Sequence, residues 1–251
     1  MTAQRYFLKL AYKGTRYFGW QIQPNQISIQ QEIERALTQL NSNEKIEITG
    51  CGRTDTGVHA SMYFAHFDTY KKMDPQHLSY KLNLMLPQDI AILEVFEVNA
   101  DTHARFSATS RSYEYKIHTA KNPFIAETSW FYNVDLDLAK IKEACALLST
   151  HSDFECFSKV HTDVSNFNCT IHYIDWLQTE HGYLFQISAN RFLRNMVRAI
   201  VGTLLDVGTG KITIEELNEI LASKNRSKAG ISVPAHGLTL TKITYPASLF
   251  P

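Results

Sequence analysis

The chain has 251 residues, of which 44% are hydrophobic and 12% aromatic. That length can bury one or two cores without disulfide or metal staples, and the aromatic content excludes a disordered chain. Lys plus Arg and Asp plus Glu both number 25, for a formal net charge of zero. This excludes a nonspecific polycation, although a neutral total can hide a basic stripe. No run of about 18 apolar residues occurs, so no membrane-spanning helix is expected. The first ten residues lack the basic start and apolar core of a secretory signal. Four scattered cysteines with no CxxC pattern read as free thiols in a cytoplasmic protein.

Tyr6 to Tyr12 reads as a strand. Ser28 opens a helix with Gln31 three residues on, as in a capping box, and Ile29, Ile33, Ala36, Leu37 and Leu40 form its apolar face. Ile46 to Gly50 reads as a short strand, Cys51 to His59 as a glycine-bearing loop, and Ser61 to Phe67 as a returning strand. Asp74-Pro75 starts a helix with proline at its first position, and Ile90 to Val98 is a strand. Further on, Ser112 to Thr119 is a strand and Leu138 to Leu148 a helix. Thr170 to Gln178 and Tyr183 to Ser188 form a hairpin around His181-Gly182. An apolar helix is expected from Arg191 to about Val207, stopped by Gly208 and Gly210. Thr213 and Glu216 make a capping box, and Leu238 to Tyr245 is the last strand. Without strict βαβ alternation the class is α+β, with helices packed on mostly antiparallel sheet. Two related halves are expected, residues 1–107 and 108–251.

The segment Gly50 to Ala60 concentrates three glycines with Arg53, Asp55 and His59. Glycines let the backbone turn tightly and let a substrate approach. A guanidinium nearby favours the charged form of a carboxylate, and a held, ionised carboxylate can serve as nucleophile, base or electrostatic stabiliser. The same residues also read as a surface turn in which Asp55 bonds its own backbone. Asp55-Thr56-Gly57 further matches the short motif of aspartic proteases, which need two carboxylates sharing a proton. The chain has one such motif, preceded by Arg53-Thr54 rather than by apolar residues.

Gly52-Arg53-Thr54-Asp55-Thr56-Gly57-Val58-His59-Ala60 resembles the signature loop of the tRNA pseudouridine synthase A family. The resemblance extends to Tyr12 through Gln21 with Ser28-Ile29-Gln30, to His103 through Thr109 with Arg111-Ser112-Tyr113, to Phe192 through Arg198 with Ile200-Val201-Gly202, and to Ala235-His236-Gly237-Leu238. These motifs occur in the family's order from about Leu8 to Pro246. The resemblance implies two α+β halves whose sheets join side by side around a catalytic cleft. It implies isomerisation of uridine to pseudouridine at positions 38, 39 and 40 of the tRNA anticodon arm, by a homodimer with neither metal nor organic cofactor. Asp55 is then the essential carboxylate, acting on the base, on ribose C1′ or in glycal formation. Arg198 is its basic partner, Tyr113 stacks on the uracil and assists proton removal, and Leu238 lines the base pocket. A catalytically inactive RNA-binding relative and a dimeric aspartic protease using Asp55 are the alternative readings.

Arg191, Arg194 and Arg198 fall at helical spacing on the expected apolar helix. There they need anionic partners or form structural salt bridges. Arg53, Arg105 and Arg194 are candidates for holding the opened RNA, with Arg5, Lys9, Lys13 and Arg16 along a backbone track. The chain departs from the family pattern in carrying Lys13 in place of an acidic residue, and Cys169-Thr170-Ile171 in place of an arginine-led triplet. Cys156, His161, Cys169 and His172 do not have the spacing of a paired zinc knuckle, so no metal is expected.

Overall fold

The computed structural model describes residues 3–160 and 165–249. In chain order its elements are β1 (Gln4–Tyr12), α1 (Ile29–Leu40), β2 (Thr49–Gly50), β3 (His59–Thr69), α2 (Pro75–Met85) and β4 (Ile90–Val98). There follow β5 (Ser110–His118), β6 (Trp130–Phe131), α3 (Leu138–Thr150), β7 (Ile171–Thr179), β8 (Gly182–Ala189), α4 (Met196–Gly208), α5 (Ile214–Ser223) and β9 (Leu238–Thr244). The class is α+β and the strand pairing mostly antiparallel, as the sequence leads one to expect.

Two compact units divide the chain. The first runs to Thr109 and takes in the residues from Leu240 on; the second is Ser110–Thr239. In the first unit the strand order is β4-β1-β3-β9, with β2 added to β3. β1 is its central strand, antiparallel to both β3 and β4. Its residues Tyr6, Phe7, Leu8 and Leu10 are buried, and Tyr6 stacks on Phe67 across the ladder at 5.4 Å between ring centres. Most of β9 belongs to this unit although it follows the whole second unit in sequence. Tyr245, just after β9, sits edge-on to Phe7 and Phe64 and donates its hydroxyl to the Ala104 carbonyl at 2.6 Å. In the second unit β8 is flanked by β5 and β7. α3 packs on β7 and α4.

Local chemistry explains where the helices begin. The Ser28 hydroxyl accepts the Gln31 N–H at 3.2 Å, and Asp74 accepts the His77 N–H at 2.7 Å with Pro75 in the first turn. Thr213 and Glu216 complete a reciprocal capping box on α5. On α1, Ile29, Ile33, Ala36 and Leu37 are fully buried, which is the face the periodicity predicts.

Two expectations are corrected. The strand predicted over Ile46 to Gly50 shrinks to Thr49–Gly50. The N–H groups of Ile46 and Ile48 are taken by the Thr38 hydroxyl and the Glu34 carboxylate, at 3.2 and 2.9 Å, instead of by a strand. The helix predicted from Arg191 begins only at Met196, because Asn195 stands in the left-handed region at φ 68° and interrupts any helix running into it. Upstream, the Asn190 side chain accepts the N–H groups of Thr170 and Arg191, both at 2.8 Å, so 190–195 is a connection. Arg191 and Arg194 are therefore off the helix, and the shared face of three arginines does not exist. The two-residue strand β6, parallel to β5, was not expected. Among the described residues no helix is long and apolar enough to cross a membrane.

Thr213→Ala removes one half of the α5 capping box and should cost about 1 kcal/mol, read as a lower urea midpoint at unchanged slope.

Candidate active site

The loop after β2 carries Asp55, and a second glycine-bearing segment holds it. The Trp20 N–H donates to the Thr54 carbonyl at 3.3 Å, and the Gly57 N–H donates to the Tyr17 carbonyl, also at 3.3 Å. Between them the Val58 N–H closes a turn onto the Asp55 carbonyl at 3.1 Å. Side chains reinforce the clasp. Tyr12 and Thr54 share a hydrogen bond of 2.9 Å between buried hydroxyls. Buried His59 accepts the Gly14 N–H at Nδ1, 3.0 Å away, which puts its neutral ring proton on Nε2. Trp20 stacks on Tyr63 at 4.0 Å between ring centres, and the Tyr63 hydroxyl donates to the Gly52 carbonyl. Gly19 has no alternative here: its φ is +86°, and a Cβ would lie 2.3 Å from the Thr54 carbonyl oxygen. Thr54 is buried, Asp55 half-buried and Arg53 exposed. The backbone at Asp55 is therefore fixed on both sides of the residue, whereas a freely hinged turn would leave it mobile.

The same unit builds a second loop, 102–107, around two imidazoles. His66 on β3 accepts the Ala104 N–H at 3.1 Å, and its ring meets that of His103 edge-on at 4.7 Å. His103 Nδ1 in turn accepts the backbone N–H groups of Arg105 and Phe106, at 3.1 and 3.3 Å, and the His103 backbone N–H donates to the Ser107 hydroxyl at 2.9 Å. Arg105 and Phe106 are thereby presented at the surface, the guanidinium 5.4 Å over the ring centre and Phe106 76% exposed. Both imidazoles accept through Nδ1, so both serve in the neutral form. Burial, with the charge of Arg5 and then His103, lowers the His66 pKa to about 4. Burial, Arg5 and Arg105 also lower that of His103. Arg5 itself is bidentate on Asp68 at 2.8 and 2.7 Å and donates to the Thr102 carbonyl at 2.9 Å.

In the second unit Tyr113 and Tyr115 stand two apart on β5 with different fates. Tyr115 is fully buried and donates to the Pro234 carbonyl at 2.7 Å; burial raises its pKa far above the phenolic range. Tyr113 is only half-buried, its ring edge-on to Phe192 at 5.1 Å. Arg198, the one predicted arginine on α4, donates Nε to the Val233 carbonyl at 2.6 Å while its own carbonyl accepts the Val233 N–H at 3.3 Å. Leu238 is 6% exposed at the start of β9. Arg194 is exposed in the connection before α4.

Within the first unit, then, Asp55 with Arg53 and Arg105 occupy two separately braced loops. In the second, Tyr113, Arg194, Arg198 and Leu238 come from one strand, one connection, one helix and one strand start. Of the expected backbone track, Arg5, Lys9 and Arg16 lie opposite Asp68, Glu94 and Asp89, at 2.7, 3.7 and 2.7 Å, and are engaged with local carboxylates. Sequence reasoning missed His66 and Tyr63, whose signal is only an ordinary strand residue. It noted Tyr12, Gly14, Gly19, Trp20 and Thr54 solely as parts of the motifs that carry the resemblance. Among the described residues no group of three or more His, Cys, Asp or Glu gathers to hold a metal ion; His161 lies outside them. Cys156 and Cys169 are buried thiols whose pKa burial pushes up to about 12 and about 11.

Comparison with known proteins gives these geometries their context. A family model described as tRNA pseudouridine synthase matches residues 10–107 and 144–246. A tRNA pseudouridine synthase A of Bacteroides fragilis is 48% identical over all of both chains. One from Parabacteroides distasonis is 48% identical over 99% of this chain and 98% of its own. One from Bacillus licheniformis is 40% identical over 94% and 97%. A chain in a crystal structure of a Cbf5-Nop10-Gar1 complex aligns with 93% of this chain and 57% of its own, at a TM-score of 0.37 and 11% identity, a likeness too loose to carry weight. The chain belongs to the tRNA pseudouridine synthase family. It is an isomerase, and the aspartic protease reading of Asp55-Thr56-Gly57 falls away.

Gly19→Ala should displace the Asp55 loop and lower the catalytic rate on the order of 100-fold, the scale of a misplacement of about 1 Å, as measured in single turnover. The histidine pair makes stability pH-dependent. The folded-state pKa of His66 lies below its ordinary 6.5, so its contribution is complete above pH 6.5 and is lost as pH falls toward about 4. His66→Asn should flatten the fall of Tm across that window relative to wild type.

Proposed function

We propose that the chain converts uridines 38, 39 and 40 in the anticodon arm of tRNA to pseudouridine, with Asp55 as the essential carboxylate, and that it works as a homodimer. The observation that carries this reading is the clasp on the Asp55 loop. Two backbone hydrogen bonds, a buried hydroxyl pair and an imidazole acceptor are spent on fixing one short loop. The relatives at 40–48% identity, all named tRNA pseudouridine synthase A, support tRNA as the substrate.

The reaction is an isomerisation and needs no outside oxidant or reductant. The bond between ribose C1′ and uracil N1 breaks, the base turns, and C1′ bonds to C5. The proton on C5 leaves and N1 gains one. Asp55 is the carboxylate on which this exchange turns. Tyr113 stacks on the uracil, and its hydroxyl assists removal of the C5 proton. Arg198 supplies the positive charge beside the carboxylate. Its Nε bond to the Val233 carbonyl fixes the plane of the guanidinium, which suits a fork that must meet an anion in a set geometry. Leu238 is an apolar wall for the base. A uridine stacked in an RNA stem has to leave the stack first, at about a few kcal/mol. Arg53, Arg105 and Arg194 are all exposed, as side chains that hold the opened strand must be. Phe106 beside Arg105 offers a ring face of the kind on which unstacked bases rest.

The test is release of tritium from 5-tritiated uridine in unmodified tRNA. Wild type should release it, tRNA lacking uridine at 38–40 should not, and Asp55→Ala should release none while binding tRNA with near wild-type affinity. Binding without release by the wild type would make the chain an RNA-binding relative without activity. Full release by Asp55→Ala would remove the carboxylate from the mechanism.

A further inference from the structure

Arg198 does not hold its position by itself. Residues 229–234 run against α4 as a strap, and the contact is backbone to backbone. A Cβ on Gly202 would lie 1.9 Å from the Ile231 carbonyl oxygen, and one on Gly230 would lie 2.6 Å from the Thr203 nitrogen. The Gly230 N–H donates to the buried Thr203 hydroxyl at 2.8 Å, and that hydroxyl donates to the Ala199 carbonyl one turn back at 2.9 Å. Val233, in the same strap, exchanges both of its backbone groups with Arg198.

One side chain gathers the strap from outside. Arg226 donates from one nitrogen to the Gly230 carbonyl at 3.0 Å and, more weakly, to the Ala229 carbonyl at 3.4 Å. From its other nitrogen it donates to the Ser232 hydroxyl at 2.8 Å. That hydroxyl also accepts from the Asn195 amide at 2.5 Å, and Asn195 is the left-handed residue that starts α4 three positions before Arg198. Arg226 therefore ties both ends of the local frame, the strap that accepts the Arg198 Nε and the residue that sets where the helix begins. A guanidinium fork suits this task, since its donors diverge in one plane onto three acceptors. All three acceptors are uncharged, so the arrangement spends a cation on geometry instead of on an ion pair.

We propose that Arg226 is a positioning residue for the reaction, acting through Ser232 and the 229–234 strap to orient the Arg198 guanidinium. This rests on the reading that Arg198 works beside the catalytic carboxylate. Remote mispositioning of a catalytic group lowers the rate of the chemical step more than it lowers binding.

The experiment compares Arg226→Gln, Arg226→Lys and Ser232→Ala by single-turnover tritium release at saturating enzyme, tRNA affinity by filter binding, and Tm. Arg226→Gln should slow release about tenfold or more with affinity changed by less than about twofold, and Arg226→Lys should recover part of the rate. Ser232→Ala, a milder change, should slow release in the same sense should Arg226→Gln fold poorly. The decisive comparison is made in an Arg198→Lys background, which keeps the charge but has no Nε donor for Val233. There Arg226→Gln should cost little further rate, because the link it serves is already gone. Losses that multiply in the double variant, or full rate in both Arg226→Gln and Ser232→Ala, would overturn the inference. Arg198→Ala with full rate would instead overturn the role of Arg198 itself, and the inference with it.

Discussion

Two weak-looking hydrogen bonds, from the Trp20 N–H to the Thr54 carbonyl and from the Gly57 N–H to the Tyr17 carbonyl, fix the backbone that carries Asp55. Each is a bond of about 3.3 Å that alone contributes little in water. Their effect comes from what surrounds them. The Tyr12–Thr54 hydroxyl pair and the His59 acceptor are buried, so leaving either unpaired costs more than the bond itself returns. Gly19 can adopt its backbone conformation and approach Thr54 only because it has no side chain. The loop backbone thus has one low-energy arrangement, and Asp55 is carried in it.

The second unit meets a similar demand by different means. Its strap and helix α4 touch through glycines, and the cation Arg226 is committed to carbonyl and hydroxyl oxygens. Burial lowers the Arg226 pKa somewhat, which is the electrostatic cost of placing it there. The 102–107 loop uses neutral imidazoles as acceptors and so accepts a dependence on pH. Three loops are braced with three chemistries, and each choice sets a different vulnerability: steric at Gly19, geometric at Arg226, protonic at His66 and His103.

Much of the fold was legible because it rests on local rules. Ser28, Asp74 and Thr213 cap the helices their spacing announces, and β4 spans Ile90–Val98 as its apolar run suggests. Failures occurred where a side chain took a backbone partner or a backbone angle broke the pattern. Glu34 and Thr38 took the N–H groups that would have made Ile46 to Gly50 a strand, and Asn195 cut short a helix whose hydrophobic pattern ran past it. Periodicity cannot see either event, since both depend on contacts or backbone angles absent from the pattern. The candidate site was legible in its charged residues and its glycines. Tyr63 and His66 were not, because a buried polar group in a strand differs from a core residue only by its partner, and partners are set by the tertiary fold. The same is true of Arg226, which opens a short 3-10 turn and gains meaning only from the strap it holds.

The place of the last strand has a temporal consequence. A chain made from its N-terminus releases β1, β3 and β4 early, yet β9 and Tyr245 follow the whole second unit. Until they emerge, the part of the β3 edge that β9 covers stays open, the rings of Phe7 and Phe64 lack their edge-on neighbour, and the Ala104 carbonyl lacks the Tyr245 hydroxyl. The unit that carries Asp55 is thus the first to be synthesised and the last to be completed. Synthesis of the second unit must finish while a strand edge in the first is still incomplete.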